Sequence, residues 1–226
     1  MTKVVAFDVN ETLLDLRTLD EPFRQLFGSV TFRTQWFSTM LQLSFVGGLS
    51  GSYVDFSSAQ RGALRMLGLR EGIPLTEESV ENIVGRMSSL PCYPEVPEAL
   101  GKLGAEDVKV VALTNSVARV AEAQLTNAGV RDLFDRVISA DAVRRLKPAP
   151  EPYLSVADAF GVAPADVRLV AAHSWDITGA LHAGCRAAFV ARPGQVLSPI
   201  GPQPDIIEAD ITGAVERIIE IDMTKH

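Results

Sequence analysis

The chain has 226 residues, of which 47% are hydrophobic and 22% charged, the make-up of a globular protein with one large domain or a core plus an insert. A net charge of -7 leaves no basic stripe to neutralise phosphates and excludes nucleic acid as the partner. With no charged-then-apolar leader and no apolar run long enough for a bilayer, the expectation is a cytoplasmic protein without membrane contact.

Residues 4–7, Val-Val-Ala-Phe, show no polar alternation and read as a strand buried on both faces that ends on Asp8. A carboxylate there either lies at the carboxyl edge of a sheet, where open α/β folds bind ligands, or starts a structural Asx turn. From about residue 20 to 87 apolar residues recur with helical spacing, among them Phe32, Trp36, Phe37, Met40 and Leu41, then Leu64 and Leu67. Gly47-Gly48, Gly51, Gly68, Gly72 and Pro74 punctuate this stretch, and Thr76 followed by Glu77 and Glu78 is expected to cap a helix. The segment reads as an all-helical insert with Trp36, Met40 and Phe45 in its own core. Pro91-Cys92-Tyr93-Pro94 marks a stiff return to a second phase.

Beyond residue 95 strands and helices alternate. Strands are expected over 108–113, 134–139, 167–172 and 187–190; helices over 117–127, 151–160 and 177–183, followed by Gly129, Gly161 and Gly184. Residues 206–207 and 214–221 close the chain. Such alternation gives a parallel sheet with right-handed crossovers. The fold class is α/β: a Rossmann-like core from residues 1–15 and 93–226, with a helical cap domain inserted over 16–92. The two cysteines, Cys92 and Cys185, lack metal-ligand spacing and are expected as reduced, buried thiols.

Four strand ends carry polar groups: Asp8; Thr114-Asn115-Ser116; Lys147, shortly after the third strand; and His173-Ser174-Trp175-Asp176. In a parallel sheet these ends converge on one crevice. Such a set permits nucleophilic catalysis by a carboxylate. Lys147 would keep Asp8 ionised, Thr114, Asn115 and backbone amides would hold a negative substrate or oxyanion, and Asp176 or His173 would activate water. As structural residues, Lys147 would be a surface lysine before a proline and His173 a neutral imidazole bonded to backbone.

Asp8-x-x-x-Thr12, the strand-terminal Thr114, Lys147-Pro148 and Asp176 stand in the order and spacing of the four motifs of the haloacid dehalogenase superfamily. The chain resembles that superfamily over nearly its whole length, and the helical insert resembles its C1 cap. Tyr53-Val54-Asp55-Phe56, the run from Lys147 to Tyr153 and Trp175-Asp176-Ile177-Thr178-Gly179-Ala180 are similar to the type II L-2-haloacid dehalogenases. The resemblance implies a hydrolase that needs no metal or other cofactor and acts on a small carboxylate substrate, with dimerisation through the cap. Asp8 would displace halide from C2 to form an ester, which water then opens. Lys147 would be its electrostatic partner, and Asp176 and His173 would serve ester hydrolysis. Thr12, Asn10, Thr114, Asn115, Phe37, Tyr153 and Trp175 complete the expected substrate-binding set.

The pattern also has departures. Magnesium-dependent phosphatases of the superfamily carry a second Asp where this chain has Asn10, and a metal-holding carboxylate where it has Ala172. Dehalogenases usually have Tyr at the place of Asn10, Ser and Asn at those of Ala171 and His173, and, after a cap-helix Trp, a halide-receiving Arg where Phe37 follows Trp36. A phosphatase with an altered metal site, action on another activated carboxylate, and a ligand-binding homologue without turnover therefore stand as alternatives. Phe37, Leu41, Tyr53 and Phe56 are expected to line an apolar pocket over Asp8.

Overall fold

The four apolar residues before Asp8 form the middle of the sheet. In the computed structural model, which describes residues 2–223, β1 (Val4–Phe7) is buried along its whole length. It pairs in parallel with β2 (Lys109–Thr114) on one side and β4 (Val167–Ala171) on the other. β3 (Arg136–Ser139) flanks β2, while β5 (Arg186–Val190) and β6 (Ile206–Glu208) extend the opposite edge. The parallel order β3-β2-β1-β4-β5-β6 reverses direction between β1 and β4. At such a switch point the connections leave the sheet on opposite faces and open a crevice beyond the carboxyl ends of the strands. Asp8 sits there, its backbone N–H donating to the carbonyl of Val170 at 3.0 Å.

Period-two alternation sorts the strand residues between two cores. Val4, Ala6, Val111, Leu113 and Leu169 pack with Tyr153 and Val156 of α7 (Pro150–Phe160) and Ile177 and Ala180 of α8 (Ser174–His182). Val5, Phe7, Val110 and Ala112 face the other way, toward α5 (Val96–Leu103), α6 (Ala118–Asn127) and α9 (Ile211–Ile218). That second core runs without a break into the helical insert through Leu13, Leu16, Phe23 and Trp36.

The insert consists of α1 (Asp20–Phe27), α2 (Thr31–Ser50), α3 (Phe56–Glu71) and α4 (Glu77–Arg86). Its caps are those expected of short polar side chains: Asp55 accepts from the N–H of Ser58, and Thr76 from that of Ser79. Trp36 and Met40 are buried in it, with the indole N–H of Trp36 donating to the carbonyl of Gln60. Phe45 departs from the expectation. It is half-buried and meets Trp175 edge-on at 5.5 Å, so it belongs to the seam between cap and core.

Some element ends differ from those expected. The last helix begins at Ile211 because Asp210 accepts from the N–H of Gly213. α8 begins at Ser174, with His173 as its N-cap residue, so Trp175 and Asp176 lie in its first turn rather than before it. β3 starts only at Arg136, and Phe134 before it is buried edge-on against Phe7. Both cysteines are free; Cys185 is buried, whereas Cys92 is only half-buried, with its thiol directed at the carbonyl of Ala128. No helix among the described residues is long and apolar enough to cross a membrane.

Arg168 is fully buried within β4, near the amino end of the sheet. It donates to both carboxylate oxygens of Asp222, at 2.6 and 3.1 Å, and to Asp205 and the carbonyl of Ala187. Removing the guanidinium strands the buried Asp222 carboxylate, which Thr2 and Arg186 only partly satisfy. Arg168→Met is expected to cost about 3 kcal/mol of stability, read by urea denaturation at neutral pH, with the remote carboxyl-edge chemistry unchanged in the folded fraction.

Candidate active site

Asp8 leaves β1 into a turn that folds back on itself. Leu13 and Leu14 both donate backbone N–H groups to the carbonyl of Val9, and Arg192 holds the carbonyl of Thr12 with two guanidinium nitrogens. The turn brings the Thr12 hydroxyl to 2.7 Å from Asp8 Oδ2, and the same hydroxyl accepts from the N–H of Ala172 at the end of β4. Asp8 is 4% exposed.

Lys147 Nζ reaches the other carboxylate oxygen, Asp8 Oδ1, at 2.8 Å, and also donates to Asp176 Oδ2 at 2.6 Å and to the carbonyl of Leu113 at 3.0 Å. All three ammonium protons are thus used. Asn115 aligns the loop that carries Lys147: its Oδ1 accepts from the Lys147 N–H and its Nδ2 donates to the Lys147 carbonyl. Tyr153, from α7, donates to Asp176 Oδ1 at 2.5 Å. Gly179 permits this approach, since a Cβ there would lie 2.5 Å from the Tyr153 hydroxyl and 2.8 Å from the carbonyl of Pro148.

His173 faces the second oxygen of Asp8. Its Nδ1 lies 3.2 Å from Asp8 Oδ2 and its Nε2 3.0 Å from Glu11 Oε2. The ring is sandwiched between Phe37, at 5.7 Å and 20°, and Trp175, at 5.2 Å and 21°. Glu11 stands at φ 60, a conformation strained for a residue with a Cβ, and accepts from Arg33 and Gln195 as well. Beside this stack a cleft of about 370 Å³ opens in the seam, lined among others by Arg33, Phe37, Leu41, His173, Trp175 and Gln195.

The charges follow from these contacts. Burial alone would raise the Asp8 carboxyl, but the Lys147 ammonium and the His173 hydrogen bond and charge outweigh it and hold Asp8 well below the usual carboxylate range. Burial would likewise lower His173; its bonds to Asp8 and Glu11 win and push it up to about 9, so the ring is an imidazolium at neutral pH. Asp176 moves upward, because burial and the nearby Asp8 charge exceed the attraction of Lys147. Lys147 is raised despite burial by its two carboxylates.

The structure therefore sets Thr12, Lys147 and His173 directly on the Asp8 carboxylate, with Asp176 and Tyr153 behind Lys147 and with Phe37 and Trp175 on the faces of His173. Other residues expected to contact substrate are turned elsewhere. Asn10 accepts from Gln124 and directs its amide at Ser116, Thr114 Oγ1 accepts from the N–H of Ser116, and Asn115 is committed to Lys147. Tyr53 and Phe56, expected over Asp8, do not line the cleft: Tyr53 donates to Asp141 and Phe56 is buried in the cap core. Glu11, Arg33 and Gln195 were not anticipated. Arg33 lies one turn before Phe37 on α2, a spacing that shares a helix face.

The donor set does not fit a divalent cation. Asp8 and Asp176 are engaged by one ammonium, Glu11 is taken up by His173, Arg33 and Gln195, Asn10 is turned away, and Ala172 offers no ligand.

The chain has relatives among known proteins. A profile of haloacid dehalogenase-like hydrolases matches residues 2–184. An (S)-2-haloacid dehalogenase of Xanthobacter autotrophicus is 33% identical over 197 residues, covering 86% of this chain and 77% of its own. An (S)-2-haloacid dehalogenase of Pseudomonas sp. (strain YL) is 28% identical, covering 95% and 93%. The solved L-2-haloacid dehalogenase of Xanthobacter autotrophicus with chloropropionic acid covalently bound superposes with a TM-score of 0.90 at 28% identity, over 98% of this chain and 100% of that one. A parallel sheet with a helical insert after its first strand, a carboxylate at the end of that strand and a matching sequence profile place the chain together: it belongs to the haloacid dehalogenase-like hydrolases.

Proposed function

We propose that the protein is a 2-haloacid dehalogenase that works through an ester on Asp8. The observation that carries this reading is the state of Asp8 itself: ionised, buried in contact with His173 of the cleft wall, held by Lys147 and Thr12, and with Asn10 at the place of the carboxylic acid a phosphatase would carry. Asp8 attacks C2 of a small 2-haloalkanoic acid as halide departs, and water then opens the ester to give the 2-hydroxy acid. Lys147 and Thr12 fix the two carboxylate oxygens, so the attacking lone pair is aimed before substrate arrives. The indole N–H of Trp175 is buried and has no hydrogen-bond partner among the described residues, which makes it a donor free to meet substrate or halide. The apolar face of Phe37 and Leu41 suits the short alkyl portion of such an acid. The same relatives that are named for 2-haloacids support this substrate class.

The experiment is incubation of metal-free protein with 2-chloropropanoate and with fluoroacetate, following halide release. Release without added metal is expected. Silence toward both acids, combined with Mg-stimulated phosphate release from phosphoesters, sinks the reading.

Residues 16–92 act as the cap and residues 1–15 and 93–226 as the core in this reading. Location in the cytoplasm is supported by the two free thiols. Dimerisation through the cap is supported by Leu49 at 90% exposed and Leu69 at 84%, on α2 and α3. Light scattering is expected to give a dimer for the wild-type chain and a monomer for Leu49→Glu combined with Leu69→Glu.

A further inference from the structure

The helical insert joins the core through two short segments that lie side by side. Leu14 bridges Cys92, the backbone N–H of Asp15 donates to the carbonyl of Pro91 at 2.8 Å, and that of Tyr93 to the carbonyl of Leu13 at 2.9 Å. Both chain crossings thus sit at one edge of the insert, the geometry of a hinge. Arg33, near the start of α2, lines a small cavity with Asp15, Leu16, Arg17 and Tyr93 of that edge. Gly48 lies near the other end of the same helix, about 22 Å along its axis.

The far edge is fastened by side chains. Tyr53 donates its hydroxyl to Asp141, Arg145 Nη1 donates to the carbonyl of Gly48 at 3.0 Å, and the Arg144 guanidinium lies over the Tyr53 ring at 4.6 Å. The three core residues belong to the turn after β3, where Arg144 stands at φ 50, a costly conformation that persists only where its surroundings fix it. Between the two edges the seam is shut. Asp8 is almost fully buried, and the rings of Phe37, His173, Trp175 and Phe45 run in contact along α2. No substrate reaches a carboxylate so enclosed unless the seam parts.

We propose that Tyr53, Asp141, Arg144 and Arg145 form a latch: the insert lifts about the hinge of residues 13–15 and 91–93, and these far-edge contacts set how often it does so. The latch is of a kind that gives way. Its contacts are few, polar and only part-buried, so parting them returns each group to water at the cost of a few hydrogen bonds. The hinge side is held instead by continuous apolar core through Leu13, Leu16, Phe23 and Trp36. The Arg33–Glu11 contact, at 3.3 Å, also crosses the seam, but it lies close to the hinge, where a swing displaces it least. The latch also adjoins the chemistry. Arg145 is followed by Leu146, which lines the seam, and then by Lys147, so one loop both fastens the insert and carries the ammonium on Asp8.

The test is thiol labelling of a Ser44→Cys reporter in the full chain. Ser44 is buried on α2 and lines, with Gly48, Tyr53, Arg145 and Leu146, a cavity of about 50 Å³ in the seam. Modification by iodoacetamide is read by peptide mass spectrometry, so that Cys92 and Cys185 are counted separately. Where reclosing outpaces labelling, the rate measures the open fraction. Tyr53→Phe in the reporter background is expected to raise labelling of the reporter about tenfold, through loss of one hydrogen bond to a carboxylate. Arg145→Met raises it as well, and each variant is first matched to the reporter chain by circular dichroism. Arg168→Met destabilises the core far from the seam and is expected to leave reporter labelling unchanged. A reporter that labels at the same rate with and without the Tyr53 hydroxyl and the Arg145 guanidinium overturns the latch. So does one whose labelling rises with Arg168→Met as it does with Tyr53→Phe, because exposure then comes from global unfolding. Labelling needs no turnover, so the latch stands or falls apart from the dehalogenase reading.

Discussion

Asp8→Asn is expected to lower metal-free chloride release from 2-chloropropanoate by about 10⁴-fold or more, with the fold intact. The size of the loss follows from the chemistry. An amide oxygen is a poor nucleophile, and among the described residues the other carboxylates near the crevice are already committed: Asp176 to Lys147 and Tyr153, Glu11 to His173, Arg33 and Gln195. Folding survives because the substitution is isosteric and leaves no cation stranded. Lys147 keeps Asp176 and the carbonyl of Leu113, and His173, with one of its two anions removed, can shed its proton. The variant thus separates loss of chemistry from loss of structure, provided the urea midpoint is recorded beside the rate. A second measurement distinguishes an ester from direct attack by water. In a single turnover in ¹⁸O-water, wild-type protein is expected to take the label into Asp8, leaving the product hydroxyl unlabelled. Label appearing first in the 2-hydroxy acid, or Asp8→Asn retaining activity within tenfold of wild type, shows that Asp8 is not the nucleophile.

Much of the arrangement behind that result is legible in the sequence, and the reason is periodicity. Strands buried on both faces announce themselves as unbroken apolar runs, and a polar residue that ends such a run must lie at the carboxyl edge. Asp8, Thr114 and His173 stand at such run ends. Legibility ends where a side chain is aimed by its neighbours rather than by its own element. Asn10 and Asn115 sit in the right turns, yet Gln124 in one case and the Lys147 backbone in the other claim their hydrogen-bonding groups. Tyr53 shares a motif with dehalogenases but is drawn to Asp141, with the Arg144 guanidinium over its ring at 4.6 Å. Glu11 was hidden for a different reason. A glutamate at positive φ looks in sequence like any polar turn residue, and only the folded chain shows three donors converging on it. Phe37 and His173, 136 positions apart in sequence, are read singly as two losses; stacked together they form one cationic, aromatic wall of the cleft.

The second large effect is expected at Lys147, where stability and catalysis are tied to one ammonium. Lys147→Met keeps the length and volume of the stem and removes the charge that two buried carboxylates share. Breaking a buried ion pair by deleting one partner typically costs about 3–5 kcal/mol, because the remaining charge is left in a medium that solvates it poorly. Here the damage is graded by pH. Asp176 already sits above the usual carboxylate range, so in the variant it takes up a proton first, while Asp8 keeps Thr12 and His173. A carboxyl raised in the folded state binds more protons there than in the unfolded chain, so stability falls as pH climbs from the ordinary Asp value, about 4, through the raised one. The stability gap between wild type and Lys147→Met is therefore expected to be smallest below about pH 4 and to widen toward neutrality, as urea denaturation across pH would record. Halide release is expected to drop by about 10³-fold at neutral pH even in the folded fraction, since Asp8 loses the donor that aims one of its oxygens and stabilises charge as the ester opens. Lys147→Arg is expected to restore little of it, because a forked guanidinium cannot meet Asp8, Asp176 and the carbonyl of Leu113 from the position of a single Nζ. A Lys147→Met protein with wild-type stability and turnover would mean that Asp8 is held ionised by His173 alone, and would move the electrostatic centre of the site from the core side of the crevice to the cap side.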